Sequence, residues 1–208
     1  MCGICGVVGF EDRSLVKKMT DVLEHRGPDD DGYFFDSGIG LGHRRLSIID
    51  LSKGKQPIHN ENKTIWIVFN GEIYNYKKLR DELEKKGHRF YTDSDTETIV
   101  HLYEELGDSC LKQLQGMFAF ALWDSERKIL FLARDRLGIK PLYYALIDGN
   151  ILFASEIKSI LQYEGIKREI NHKSMDNYFT FRYVPGSETI FKGIKKLLPG
   201  HFLKFFNN

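Results

Sequence analysis

The residue with the clearest chemical potential is Cys2, which directly follows the initiator Met1. Removal of Met1 would leave a thiol and a free α-amine on the same residue. A thiol has an ordinary pKa near ~8.5 and an α-amine one near ~7.7–8.0, so the amine can act as the base for the thiol at neutral pH. A nucleophile activated by the chain terminus is a known catalytic arrangement. The start of the chain therefore predicts a cysteine nucleophile that needs no histidine.

The cysteines argue against a disulfide framework and against a shared metal. There are three, Cys2, Cys5 and Cys110, and such a sparse, odd set favours a reducing compartment. Residues 4–10 predict a strand, on which residues three apart point to opposite faces, so Cys2 and Cys5 would not meet at one ion. The seven histidines show no tight ligand pairing. We therefore expect no metal and no cofactor in this domain, with a Cys-x-x-Cys metal or redox protein as the alternative that a metal assay would decide.

The composition suits one large domain with a substantial core. The 208 residues are 42% hydrophobic, and 30 Lys and Arg residues balance 29 Asp and Glu residues. A net charge of +1 indicates neither a nucleic-acid partner nor an anionic membrane surface. The sequence contains no 18-residue apolar run and no signal-peptide pattern, so we expect a cytoplasmic protein. A homodimer is compatible with these features.

The elements that must position Cys2 are mostly hairpins. Strands are predicted at residues 4–10, 33–35, 39–41, 64–69, 117–123, 129–133, 142–147, 151–155 and 201–206. Amphipathic helices are predicted after Ser14, Asn75 and Asp95 as N-caps, and at 157–161 and 174–181. Adjacent hairpins imply antiparallel sheets, and strands apolar on both faces imply cover on both sides. The fold class is therefore α+β, a four-layer α/β/β/α sandwich of two antiparallel sheets.

Four further segments stand out: residues 43–50 (HRRLSIID), 70–76 (NGEIYNY), 92–97 (TDSDTE) and 134–144 (RDRLGIKPLYY). Together with Cys2 they resemble the glutaminase domain of class II glutamine amidotransferases, and most closely that of the glutamine-hydrolysing asparagine synthetases. The resemblance covers essentially the whole chain. It implies the N-terminal nucleophile hydrolase fold, which agrees with the predicted sandwich.

The resemblance also implies roles for particular residues. Cys2 is expected to be the nucleophile, and Asn70 and Gly71 the donors of an oxyanion hole. The substrate-binding residues are expected to be Arg45, Ile48, Ile49, Glu72 and Asp95. Arg45 would hold the α-carboxylate of the substrate, while Asp95, with Glu72 beside it, would receive the α-ammonium group.

Simpler interpretations compete with several of these roles. Asn70-Gly71 is also the usual sequence of a type I′ turn, and Asp95 also suits a helix N-cap. Arg44 is expected to be structural. In the segment 134–144, Arg136 and Lys140 could face a partner domain, although much of that segment and of 26–29 is expected to be scaffolding.

The function implied by the resemblance is hydrolysis of the glutamine side-chain amide to glutamate and ammonia through a thioester. The ammonia would serve an asparagine-synthetase-type domain or partner. Residues 1–208 would form the glutaminase domain, and the sequence contains no Ser-Gly-Gly-x-Asp-Ser phosphate loop and no P-loop. ATP and magnesium are therefore expected only in a synthetase domain outside this chain, which is either an excised domain or a stand-alone subunit. The alternatives are a glutamine-sensing module with little turnover and a glutaminase subunit serving another amidotransferase.

Overall fold

The computed structural model describes residues 1–47 and 54–207. Within these residues, eleven strands form two antiparallel sheets. The first sheet has the strand order β10-β8-β9-β1-β3-β2. Its strands are β1 (Gly3–Val8), β2 (Asp30–Asp36), β3 (Ile39–Arg45), β8 (Tyr143–Ile147), β9 (Asn150–Ala154) and β10 (Ile194–Lys196).

The second sheet has the strand order β11-β7-β6-β5-β4. Its strands are β4 (Ile58–His59), β5 (Ile65–Ile73), β6 (Gly116–Asp124), β7 (Ile129–Arg134) and β11 (Phe202–Phe206). The edge strand β4 is short and pairs only with Trp66 and Ile67 of β5. Within residues 1–47 and 54–207, the remainder of β5 is therefore left as a sheet edge, and this edge matters for the site described below.

The described α-helices are α1 (Arg13–Asp21), α2 (Tyr76–Lys85), α3 (Asp95–Leu106), α4 (Ile157–Ile160) and α5 (His172–Phe181). Two short 3-10 helices lie at Glu24–Arg26 and Gly107–Lys112. Helix α2 ends just before Gly87, which has φ +103° directly beyond the C-cap Lys86.

Three apolar clusters give the molecule four layers. The central cluster lies between the two sheets and contains Ile4, Leu41, Val68 and Trp123. A second cluster packs α2 and α3 on the outer face of the second sheet. A third packs α1 and α4 on the outer face of the first sheet. The predicted four-layer α/β/β/α sandwich is therefore confirmed.

Two helix starts differ from the sequence prediction. Helix α1 is capped by Asp12, whose Oδ1 accepts from the backbone N–H of Leu15 at 2.8 Å, and not by Ser14. Helix α3 is capped by Ser94, so Asp95 is its first residue and not its N-cap. In both cases neighbouring residues have side chains that can cap a helix, and only the entry direction of the chain decides between them.

The competing interpretation of Asn70-Gly71 as a type I′ turn is also wrong. Both residues lie inside β5, where Asn70 pairs with Ala119 and Gly71 with Phe118. The strand continues to Ile73 because β6 runs beside it over the same length. The polar pair is thus held on a rigid element.

Candidate active site

A cavity of about 290 Å³ lies where the start of β1, the end of β3, the edge of β5 and the start of α3 meet. The predicted site residues that line it are Cys2, Arg45, Asn70, Gly71, Glu72 and Asp95. The remaining two predictions, Ile48 and Ile49, lie outside the described residues. Residues distant in sequence therefore meet around one space of a size suited to a small molecule.

The Cys2 thiol lies in a largely buried position beside Leu46. The backbone N–H of Leu46 is 3.4 Å from Cys2 Sγ, and the Leu46 carbonyl is 3.6 Å from it. Burial raises the pKa of Cys2, while the Leu46 N–H, the terminal ammonium of Met1 and the guanidinium groups of Arg45 and Arg26 oppose this rise. With Met1 in place the thiol therefore stays protonated at neutral pH, and a nearby base is needed to make it a nucleophile.

Arg26 is a site residue that the sequence analysis placed only in a scaffold segment. Its Nε donates to the carbonyl of Cys2 at 2.9 Å, and its NH1 group donates to Glu156 Oε1 at 2.9 Å. The next residue is Gly27, where a Cβ atom would lie 2.5 Å from the backbone of Arg44. This close approach holds the loop against β3 and brings Arg26 to Cys2. An arginine in a polar loop has no periodic signal that would have identified it.

The edge of β5 points three backbone N–H groups in the same direction. Alternate residues of an antiparallel strand direct their N–H and C=O groups to the same side. Phe69 bonds through both groups to the side chain of Gln56, at 2.6 and 3.2 Å, and the Ile73 N–H donates to Asp95 Oδ2 at 2.8 Å. Gly71 lies between them, so its N–H points to the same edge, between Gln56 and Asp95.

Gly71 is also required by space, because a Cβ atom there would lie 2.2 Å from the carbonyl oxygen of Met117 on β6. Its neighbour Asn70 is 1% exposed, and its Nδ2 is buried with no hydrogen-bond partner among the described residues. An unpaired buried donor is costly, so this amide is suited to an acceptor supplied by a ligand. Asn70 and Gly71 together present two fixed donors beside the cysteine.

Opposite charges line the same cavity. Arg45, the last residue of β3, is 7% exposed, and Asp95 is 4% exposed. Burial raises the pKa of Asp95, and the negative charge of Glu72 adds to the rise. A bound cation near Asp95 would oppose both effects. One guanidinium and two carboxylates therefore suit a ligand that carries both an anionic and a cationic group.

The segment 134–144 is divided between scaffold and site. Arg134 donates to the carbonyls of Gly138, Lys140 and Leu197 at 2.6–2.7 Å, which confirms the scaffold part of the prediction. Lys140, however, is only 6% exposed and lines the cavity, so its placement toward a partner domain is wrong. The carboxylate of Asp135 holds the backbone N–H of Lys140 at 3.0 Å and fixes this position.

The two remaining predictions about neighbouring residues are confirmed in position. Arg44 lies on the outer face of the first sheet, where its guanidinium is 3.3 Å from Asp21 Oδ1 on α1. Cys5 is fully buried, with Sγ 3.2 Å from the hydroxyl of Thr20 on α1. Cys5 therefore lies away from the cavity and from Cys2.

No helix in the two described ranges is long and apolar enough to cross a membrane.

Comparison with protein families gives a match along the whole chain, to a model described as a glutamine amidotransferase domain over residues 1–208. The chain is 45% identical over 207 residues to asparagine synthetase (glutamine-hydrolyzing) 1 of Bacillus subtilis, covering 96% of this chain and 33% of that protein. It is 39% identical to putative asparagine synthetase (glutamine-hydrolyzing) 2 of Methanocaldococcus jannaschii, covering 95% of this chain and 42% of that protein. The chain thus spans less than half the length of these relatives.

Solved structures share the fold at lower identity. Glutamine phosphoribosylpyrophosphate amidotransferase from B. subtilis has a TM-score of 0.66 at 23% identity, covering 76% of this chain and 43% of that one. A structure described as the allosteric regulatory enzyme of purine biosynthesis has a TM-score of 0.68 at 21% identity, covering 77% of this chain and 43% of that one. This likeness supports the N-terminal nucleophile hydrolase fold.

Proposed function

The chain belongs to the glutamine amidotransferase family, and from this premise we propose that the cavity hydrolyses the side-chain amide of glutamine with Cys2 as nucleophile. The observation that carries the proposal is the buried, unpartnered Nδ2 of Asn70 beside Cys2, among the described residues. A site that only binds glutamine can use such a donor for the side-chain carbonyl, but it has no need of a thiol beside the donor. An acyl-transfer site needs one where negative charge develops.

The reaction begins when Met1 has been removed. The free amine of Cys2 takes the thiol proton, and the thiolate attacks the side-chain carbonyl carbon of glutamine. The resulting oxyanion accepts hydrogen bonds from Asn70 Nδ2 and the Gly71 N–H. Collapse of this intermediate breaks the C–N bond, and the ammonium of Cys2 returns a proton to the leaving ammonia. Water then attacks the thioester while the amine of Cys2 takes its proton. The ammonium of Cys2 returns a proton to the leaving thiolate, and glutamate is released.

Arg45 and the two carboxylates hold the amino-acid end of the substrate. A guanidinium fork binds a carboxylate with two parallel hydrogen bonds, which fixes orientation as well as position. Asp95 and Glu72 receive the α-ammonium. Asp95 can do so while still accepting from Ile73, because an ionised carboxylate has about four acceptor sites.

The assay for this function is ammonia release from glutamine, paired with intact mass to show the loss of Met1. A processed sample should release one ammonia per glutamate formed, and Cys2→Ala should release none. Binding of glutamine with no ammonia release from processed protein would support a sensing module and would reject the hydrolase.

We further propose that the ammonia serves an ATP-dependent synthetase region outside this chain. The relatives named as asparagine synthetases are two to three times longer than the aligned part. An exposed apolar surface is available for such a region: Leu137 is 80% exposed and Ile139 52%, and Phe202 and Phe206 lie exposed on the edge strand β11. The isolated chain should form no asparagine from aspartate, ATP and magnesium, and asparagine formation by it would overturn this assignment.

A further inference from the structure

Two histidines and two glutamates meet on the outer side of the second sheet, away from the cavity. Glu61 lies in the turn after β4, His88 follows α2, and His101 and Glu104 lie one turn apart on α3. One ligand atom from each residue lies within 4.8 Å of all the others. Three separate parts of the chain therefore place four metal-ligating groups around one point.

The distances between these groups match the ligand spacing of a metal ion. His88 Nδ1 is 3.8 Å from Glu61 Oε1 and 3.6 Å from Glu104 Oε2. His101 Nδ1 is 3.7 Å from the other Glu61 oxygen, Oε2, and 2.7 Å from Glu104 Oε2. Zinc bonds of about 2.0–2.2 Å in a tetrahedron require neighbouring ligand atoms about 3.3–3.6 Å apart. Three of the four distances lie close to this range. The fourth requires a small rotation of the Glu104 carboxylate.

Each histidine also has a carboxylate outside the cluster, and that of His88 lies within hydrogen-bond distance. Each turns Nδ1 toward the shared point and Nε2 toward a carboxylate outside it. His88 Nε2 is 3.1 Å from Glu105 Oε1. His101 Nε2 is 3.6 Å from Glu97 Oε1, beyond hydrogen-bond distance, and has no hydrogen-bond partner among the described residues. A carboxylate on the far nitrogen fixes the ring and makes the near nitrogen a better ligand, which is the usual outer contact of a metal-binding histidine.

The two glutamates are oriented as well. Asn60 Nδ2 donates to Glu104 Oε1 at 2.8 Å, which leaves Oε2 to face the histidines. The backbone N–H of Arg89 donates to Glu61 Oε1 at 2.8 Å. His88 and both glutamates are thus held by a hydrogen bond from outside the cluster, and His101 is held by its burial on α3.

We propose that these four residues form a binding site for one divalent transition-metal ion, with zinc as the preferred ion. Two imidazoles and two carboxylates suit zinc, while magnesium and calcium prefer all-oxygen ligand sets. The two carboxylate charges balance the charge of the ion. The His101 side chain is fully buried and that of Glu61 is 38% exposed, so an ion has a path from solvent on the Glu61 side.

The role of the ion is to join elements and not to take part in amide hydrolysis. It would tie the turn after β4 and the loop after α2 to α3, the helix that begins at Asp95. His101 is six residues further along this helix, about 9 Å by helical rise. The sequence did not predict the site because Glu61 and His88 are distant in sequence from the His101 and Glu104 pair.

The test uses the full chain after removal of metal by a chelator and dialysis, in a Cys2→Ser background so that the reactive thiol cannot bind the probe. Zinc is titrated while thermal unfolding and bound metal are measured, and cobalt(II) is used as a spectroscopic substitute. We expect one ion per chain, a rise in Tm that saturates at this ratio, and cobalt absorption of a tetrahedral site without thiolate bands.

Variants then locate the ion. His88→Gln should lower zinc affinity by 100-fold or more, and the milder Glu105→Gln by about 10- to 100-fold, since it removes only an outer contact. The control is His25→Gln, which alters another histidine paired with a glutamate, 3.0 Å from Glu156 Oε1. This control should leave zinc affinity unchanged. Glu105→Gln keeps the test decisive if His88→Gln does not fold.

Three results would overturn the proposal. The first is no zinc binding at millimolar concentration, which would leave a cluster that shares protons, as the 2.7 Å contact of His101 with Glu104 allows. The second is equal zinc affinity in Glu105→Gln and His25→Gln. The third is a cobalt spectrum with thiolate bands.

Discussion

Replacing Asn70 by alanine tests the proposed oxyanion hole most directly. The variant removes a buried donor that has no partner among the described residues, so its effect should appear in the transition state and not in the resting protein. One preorganised donor to an oxyanion is worth about 2.7–4 kcal/mol, or about 10²–10³ in kcat. Because the Arg45 and Asp95 contacts to the substrate remain, we expect KM to change little. The free energy of unfolding should fall by less than about 1 kcal/mol, since Nδ2 contributes no hydrogen bond there.

Asn75 provides a matched control on the same segment. Its side chain donates to the Gln113 carbonyl at 2.9 Å and accepts from the Gln115 N–H at 3.0 Å, outside the cavity. Asn75→Ala should therefore cost about 1–2 kcal/mol of stability and leave kcat unchanged. The two variants are compared by steady-state ammonia release and urea unfolding. If Asn70→Ala keeps kcat within about threefold, or loses activity only in proportion to lost folded protein, the assignment of Asn70 is wrong.

Four other predictions can be checked on the same protein. Cys2→Ala should abolish glutaminase activity and retain the fold, whereas a glutamine-like electrophile should label Cys2 and leave the buried Cys5 unmodified; equal labelling would contradict this. Arg45→Lys should raise KM strongly in glutamine titrations because a point charge replaces a bidentate fork; an unchanged KM would remove Arg45 from the carboxylate site. Protein shown by mass to retain Met1 should be inactive, and full activity in it would exclude the terminal amine as base. Burial lowers the pKa of His43 from 6.5 to about 3, so between these pH values the unfolded chain binds a proton that the folded chain does not. The free energy of unfolding should therefore fall as the pH is lowered from about 6.5 to about 3, by up to about 1.4 kcal/mol per pH unit. His43→Gln should reduce this slope in urea unfolding, and an identical slope would assign it to other groups.

The features that the sequence predicts well are those repeated along the chain. The hairpins and apolar faces recur every few residues, so the five described α-helices and nine of the eleven described strands were located, with errors of up to four residues at their ends. The short strands β4 and β10 were missed. The motif residues Cys2, Arg45, Asn70 and Asp95 meet as expected because each lies at the end or edge of such an element.

The features that the sequence does not predict depend on single contacts across the fold. Arg26 reaches Cys2 only because Gly27 lets its loop approach β3. Among the described residues, the Gly71 N–H meets no neighbouring strand because β4 is short, and no local pattern encodes that length. Lys140 turns inward because Asp135 holds its backbone. Such contacts join residues far apart in sequence, and composition and periodicity carry no information about them.

The contact between Arg26 and the Cys2 carbonyl separates folding from activation. The hydrogen bond lies on the C-terminal side of the Met1–Cys2 bond, which the proposed mechanism requires to be cut, and the next residue, Gly3, is already paired with Arg44. Met1 is 53% exposed, so an aminopeptidase can reach it on the finished fold. Removal of Met1 therefore leaves the Cys2 thiol in the same position and adds only a free α-amine. Under the proposed mechanism, a chain that folds before Met1 is removed stays inactive until it loses this one residue.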